Sequence, residues 1–145
     1  MNQIERKQVS SDIRKEEGFR NKPYKDSKGI LTIGYGHNLN KPMPKEVLEL
    51  LFQFDLTDAI LDCHKTFTDF ESFSSSQKRG LVNMMFNLGY RKMAGFRRML
   101  AAIEKGDWKQ AGFELLNSAY YKQLPERVGR IYELLTGEKI NEDKD

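Results

Sequence analysis

Helical periodicity is interrupted once, between Asn21 and Leu39, and that interruption constrains the fold more than any other feature of the chain. Upstream, Val9, Ile13 and Glu17 recur at i, i+4 and i+8 on one helical face, and Gly18 stands where a glycine ends a helix. The character then changes to Pro23, a turn-forming Asp26-Ser27-Lys28-Gly29, the β-rich run Ile30-Leu31-Thr32-Ile33, and glycines at 34 and 36. So short a segment makes a small antiparallel sheet and nothing larger. Pro42 and Pro44 close it, and Val47, Leu48, Leu51, Phe54, Ile60 and Leu61 then recur at helical spacing to about Thr66. The pattern predicts a single α+β domain, mostly α, spanning 1–145 in two lobes. A small β lobe covers about 18–43, a connecting helix about 44–66, and a helical lobe about 67–137, on which residues 1–17 are expected to pack. Residues 138–145 read as a polar, frayed tail.

Within the helical lobe, Ser74 to Ser76 offer N-caps for an apolar helix through Leu81, Val82, Met84, Met85, Phe86 and Leu88, stopped by Gly89. Its composition predicts burial nearly all round. Shorter helices follow at about Phe96–Lys105, Trp108–Asn117 and Glu126–Leu135, each ahead of or behind a capping residue. With 145 residues, 39% hydrophobic and 11% aromatic, such a domain buries roughly two-thirds of its extended surface. No apolar run reaches the roughly 18 residues a bilayer span requires, so membrane insertion is not expected. Met1 to Glu17 lacks the apolar core of a secretion signal, which predicts synthesis in the cytoplasm without Sec export.

The single cysteine, Cys63, leaves no intramolecular disulfide and no CxxC knuckle, and only His64 and His37 stand beside it as nitrogen ligands, so no metal site is expected. Asp26 to Gly29 begins like a calcium loop but lacks the later oxygen ligands and terminal glutamate of an EF-hand. Net charge is a mild +3. Between Gln77 and Arg130, however, eleven basic residues face four acidic ones, a field suited to an anionic partner such as a cell-wall polymer or a nucleic acid, and equally to a solvated helical surface. No helix-turn-helix, RNP or zinc pattern supports nucleic acid.

The polar groups of the interruption carry the chemistry. Glu17 closes a helix, Asp26 sits in a turn, and Thr32 lies on a strand. Cleaving a glycosidic bond needs one protonated carboxyl to donate to the leaving oxygen and one ionised carboxylate to activate water. Glu17 and Asp26 could divide those tasks, with Thr32 orienting the water. Ordinary caps, turns and strand surface account for the same residues, and composition alone does not choose between the readings.

The order of the residues adds to this. EGFRNKPYKD from Glu17, followed by GILTIGYGH ending at His37, resembles the active-site region of the bacteriophage-type lysozymes, the muramidase endolysins of glycoside hydrolase family 24. NMMFNLGYRKMAGFRRML from Asn83 to Leu100 resembles the buried helix and following segment of that family's C-terminal lobe, and YYKQLPERVGR from Tyr120 to Arg130 its Pro-x-Arg segment. The three blocks stand in the family's order and cover most of Glu17 to Leu135.

The resemblance implies a lysozyme-like two-lobed fold and hydrolysis of the β-1,4 bond between N-acetylmuramic acid and N-acetylglucosamine in peptidoglycan, typically with inversion. It also implies a monomer with no cofactor, released to the periplasmic wall through a holin-dependent route during host lysis. It assigns Glu17 as general acid, Asp26 as the carboxylate acting with water, and Thr32 as the water-orienting hydroxyl. Arg127 would lie behind Glu17, and His37 would pair with Asp55 as a structural ion pair. Asn38 and Phe86 would line the saccharide cleft, with Gly36 presenting its backbone to the sugar. Departures from the family are a short stretch between His37 and Asp55, which removes an extra helix under the small lobe, and Asn38, Asn87 and Tyr120 in place of an apolar residue, a glutamine and a tryptophan. A wall-binding or virion-associated module and a lytic transglycosylase are the alternative readings.

Overall fold

Capping side chains set several of the helix starts. In the computed structural model, which describes residues 1–140, helix α1 (Gln3–Glu17) begins with a reciprocal box. The side chain of Asn2 accepts from the Glu5 amide at 2.8 Å, and the Glu5 carboxylate accepts from the Asn2 amide at 2.9 Å. The helix ends at Gly18, whose N–H donates to Arg14 O at 3.0 Å. Three antiparallel strands follow in the order β1 (Arg20–Lys25), β2 (Leu31–Gly34) and β3 (His37–Asn38). Tyr24, Thr32 and Asn38 form one cross-strand row, and the register of β1 on β2 is irregular between Arg20 and Tyr24. Helix α2 then runs Lys45–Thr66, one residue from the expected start.

Contacts divide the chain into two units, Met1–Leu48 and Glu49–Asp145, the division falling inside α2. Helix α1 belongs with the sheet in the first unit. The link is aromatic: the Arg14 guanidinium lies 5.5 Å from the Tyr35 ring centre, and Phe19 packs on Tyr35 at 5.1 Å. The first unit has almost no interior of its own. Thr32 is its one buried residue, and helix α1 buries none.

The second unit holds every buried hydrophobic side chain among the described residues, from Ala59 to Leu135. Beyond α2 and a single 3₁₀ turn at Phe70–Ser72 come α3 (Ser75–Leu88), α4 (Tyr90–Ala94), α5 (Arg97–Glu104), α6 (Trp108–Leu116), α7 (Ala119–Gln123) and α8 (Pro125–Thr136). Ser74 and Gln77 form the capping box of α3, and the Asp107 carboxylate accepts from the Gln110 amide at the start of α6. Helix α3 is not buried all round, as its composition suggested. Gly80, Leu81, Met84 and Met85 form a covered face, while Arg79, Phe86 and Asn87 are exposed. Close approach of α8 explains which face is covered, because a Cβ at Gly80 would meet Leu135 Cδ2 at 3.0 Å and Leu134 Cβ at 3.2 Å. Phe67, Phe70, Phe73 and Trp108 interlock edge to face beneath the start of α3, Phe73 and Trp108 at 4.9 Å. Among the described residues no helix is long and apolar enough to cross a membrane. The part of the polar tail from 141 to 145 lies outside the described residues.

Candidate active site

The first unit brings Glu17, Asp26, Thr32 and Gly36 onto adjoining elements. Glu17 is the last residue of α1, and its carboxylate lies over the β2–β3 turn. The approach is so close that a Cβ on Gly36 would stand 2.8 Å from Glu17 Oε2 and 2.9 Å from Glu17 Cδ. Gly36 also holds φ +78°, a conformation costly for any residue with a side chain. Both facts call for glycine here. Tyr35, the preceding residue, is the ring on which Arg14 and Phe19 pack, so the contacts that tie α1 to the turn also set where Glu17 ends up.

Asp26 and Thr32 are fixed through one residue between them, Ile30. The Asp26 Oδ1 atom accepts from the amides of Lys28 at 2.8 Å and Ile30 at 2.9 Å, an Asx-type turn that orients the carboxylate. The Asp26 amide donates to Ile30 O at 2.9 Å, and Thr32 Oγ1 donates to the same carbonyl at 2.8 Å. Because the hydroxyl has one proton and gives it to Ile30, Thr32 can meet a further group only as an acceptor. Asp26 likewise keeps Oδ2 for other use. Asn38 lies directly across from Thr32 in the sheet, and its Oδ1 accepts from the Asn40 amide at 2.8 Å, which leaves its Nδ2 as the outward donor. His37 pairs in register with Ile33 on β3.

The other residues picked out in the sequence lie in the second unit. Arg127, on α8, donates through Nε to Asn83 Oδ1 at 2.9 Å and through a terminal nitrogen to Asn83 O at 3.3 Å. Asp55, on α2, lines a pocket of about 240 Å³ together with Asp58, Ala59, Asp62, Met85, Phe86 and Gly89. The Phe86 ring rests on Phe52 at 5.7 Å and is 39% exposed. One turn beyond Asn83 on α3, Asn87 Oδ1 accepts from the Tyr120 hydroxyl at 2.8 Å. Asn83 and the Tyr120–Asn87 bond carry no local sequence signal, because each joins residues 33 or more positions apart. Burial, reinforced by Asp62, pushes the Cys63 thiol up to about 12, so that group is an unreactive core side chain rather than a nucleophile.

The profile of the family described as phage lysozyme matches residues 14–130. Two proteins of Dictyostelium discoideum are similar over nearly their whole length. Probable T4-type lysozyme 2 is 27% identical over 91% of this chain and 95% of its own, and probable T4-type lysozyme 1 is 25% identical over 92% and 96%. The pre-baseplate central spike protein Gp5 of Enterobacteria phage T4 is 30% identical over 82% of this chain, which corresponds to 26% of the spike protein.

Proposed function

Because this chain belongs to the phage lysozyme family, and with it to the peptidoglycan hydrolases, we propose that it cleaves the β-1,4 bond between N-acetylmuramic acid and N-acetylglucosamine with Glu17, Asp26 and Thr32. The observation that carries this reading is the attachment of Asp26 and Thr32 to the backbone of the same residue, Ile30. Ile30 gives its amide to one and its carbonyl to the other, so a carboxylate and a hydroxyl acceptor are held in fixed relation. A water between them donates one proton to Asp26 and one to Thr32. Its lone pair is thereby left free for the anomeric carbon.

Glu17 supplies the complementary step. Protonated, it donates to the glycosidic oxygen as the bond lengthens and positive charge builds on the sugar ring. Asp26 stabilises that charge and takes the proton of the attacking water, so the product carries a free reducing end of inverted configuration. Neither step calls for a metal or an organic cofactor. Gly36, with no side chain, admits Glu17 against the turn backbone and leaves the peptide edge open to a sugar hydroxyl. Asn38 Nδ2 and the Phe86 ring are the other saccharide contacts in this reading. The basic stretch between Gln77 and Arg130 draws the enzyme to a wall made anionic by its peptide carboxylates. Lysis of a host bacterium by a monomeric endolysin is the role we assign.

Clearing of outer-membrane-permeabilised bacteria, followed by mass spectrometry of released fragments, tests the proposal. Wild type should clear and release fragments ending in reducing N-acetylmuramic acid. Folded Glu17→Gln should do neither, while melting at the same temperature or higher, since cleft carboxylates are kept at some cost to stability. Anhydro-sugar products would reassign the chain to a transglycosylase, and no clearing by wild type would reduce it to a binding module.

A further inference from the structure

Helix α2 is apolar on two opposite sides. Ala59 and Cys63 are its buried residues, and Leu50 and Phe54 each precede one of them by nine positions. Nine residues make about two and a half turns, so Leu50 stands opposite Ala59 and Phe54 opposite Cys63. Leu61 follows Phe54 by seven positions and falls on the same line. Leu50, Phe54 and Leu61 are 61%, 64% and 58% exposed. A lone exposed leucine is ordinary, whereas large apolar side chains aligned in one seam mark a surface that another body covers. Spaced by four and then seven residues, these three are the anchors of a helix that packs along another helix. Asp55, Asp58 and Asp62, spaced by three and four, run along one flank of the seam, with Lys65 at its end. Lys65 is already engaged: its ammonium lies 4.7 Å from the Tyr90 ring centre and 4.0 Å from Asp62 Oδ1. The flank is therefore acidic.

We propose that the outer seam of α2 is a docking surface for a basic amphipathic helix of a partner protein, whose apolar stripe lies on Leu50, Phe54 and Leu61 and whose lysines or arginines lie over Asp55, Asp58 and Asp62. Charge selects this occupant from the others that an apolar seam admits. An anionic bilayer surface would meet the same aspartates with like charge. A second copy of the chain would bring its own aspartates alongside, and a seam of about three turns offers less than the roughly 1,200 Å² at the low end of stable interfaces. The same short length makes the contact with the partner helix weak and reversible. Opposite charges along the rim then set which helix docks and in which direction, more than how tightly it is held. None of the three anchors is among the residues assigned to catalysis or to saccharide contact, so the seam attaches the protein without touching its chemistry.

The test uses the whole chain and two synthetic helical peptides of equal length, both with leucine at the a and d positions of a heptad, one flanked by lysine at e and g and the other by glutamate. Titration calorimetry should show reversible, micromolar binding of the lysine peptide, weakened several-fold as salt rises from about 0.05 to about 0.5 M. The glutamate peptide should bind at least about tenfold more weakly. Phe54→Gln and Leu61→Gln should each weaken the lysine peptide at least about tenfold, with thermal melts and clearing of permeabilised bacteria unchanged. Asp58→Asn should narrow the preference between the two peptides, and Phe113→Gln, which alters a comparably exposed ring on α6, should leave binding as it is. No binding of the lysine peptide, equal binding of the two peptides, or binding indifferent to Phe54→Gln overturns the proposal. A dimer of the chain alone in sedimentation, dissociated by Phe54→Gln, overturns it in favour of a second copy. Flotation with vesicles of phosphatidylglycerol and phosphatidylethanolamine, abolished by Phe54→Gln, overturns it in favour of a membrane surface.

Discussion

Gly36→Ala would set a methyl carbon 2.8 Å from Glu17 Oε2 and 2.9 Å from Glu17 Cδ, at a backbone φ of +78°. The two consequences fall on different observables. Holding an alanine in this left-handed region costs about 1–2 kcal/mol, whatever surrounds it. The collision itself adds little to stability, because the atoms struck are the far end of a flexible, exposed side chain that rotates aside. That rotation, however, carries the proposed acid about an ångström or more from its place, and displacement of that size costs on the order of 10²-fold in rate. Gly34→Ala is the matched control. Its φ is +68°, yet its Cβ would meet nothing within 4 Å. Thermal melts and turnover on soluble peptidoglycan should therefore show two variants destabilised alike, with Gly36→Ala alone losing about two orders of magnitude in kcat. Equal kcat in the two variants would refute the claim that Glu17 acts from the position over Gly36, and so would an equal loss in both.

Thr32→Val keeps shape and removes the acceptor, so kcat should fall about 10²-fold with stability altered by about 1 kcal/mol, whereas Thr32→Ser should retain most turnover; similar rates in the two variants would remove Thr32 from the water site. Asn83→Ala deprives the Arg127 guanidinium of its side-chain partner and should cost about 1.5–3 kcal/mol in denaturant melts. Arg127→Ala combined with it should add little, and full additivity would show that the bond seen between them carries no energy. The raised thiol of Cys63 binds its proton more tightly in the folded chain than in the unfolded one, whose value stays near 9.0. Its contribution is thus complete below pH 9 and declines as pH rises toward about 12. Unfolding free energy should fall more steeply with pH above 9 in wild type than in Cys63→Ala, and identical slopes would show that the thiol is not shielded.

Local signals were readable where a hydrogen bond or a steric rule acts over a few residues. The Ser74 cap, the Asp107 cap and the glycines that end α1, α3 and α8 all mark helix boundaries within a residue or two of where they fall. The turn at Asp26 and the short sheet after it were readable for the same reason. Helices α4 and α7, of five residues each, and the two-residue strand β3 are too short to establish a period. Burial of α3 was overread because methionines and a phenylalanine say how apolar a helix is, and only the approach of α8 over Gly80 says which side is covered. For the candidate site, residue types and spacing named Glu17, Asp26 and Thr32. They did not reveal Ile30 as the shared anchor, since a backbone group leaves no mark in the sequence, nor Asn83 and Asn87, whose partners lie far along the chain.

The near absence of an interior in the first unit bears on how this protein fails when heated. Apolar burial supplies most of the resistance to opening, and among the described residues it is concentrated from Ala59 onward, while the proposed acid, base and hydroxyl all ride on residues before Leu48. Warming should then disarm the enzyme in a first, reversible step that costs the helical circular-dichroism signal only the share of helix α1, with the cooperative melt of the second unit following at higher temperature. A sample held between the two transitions would be inactive yet largely helical, and would recover its activity on cooling as fast as a few dozen residues can re-form a hairpin and a helix.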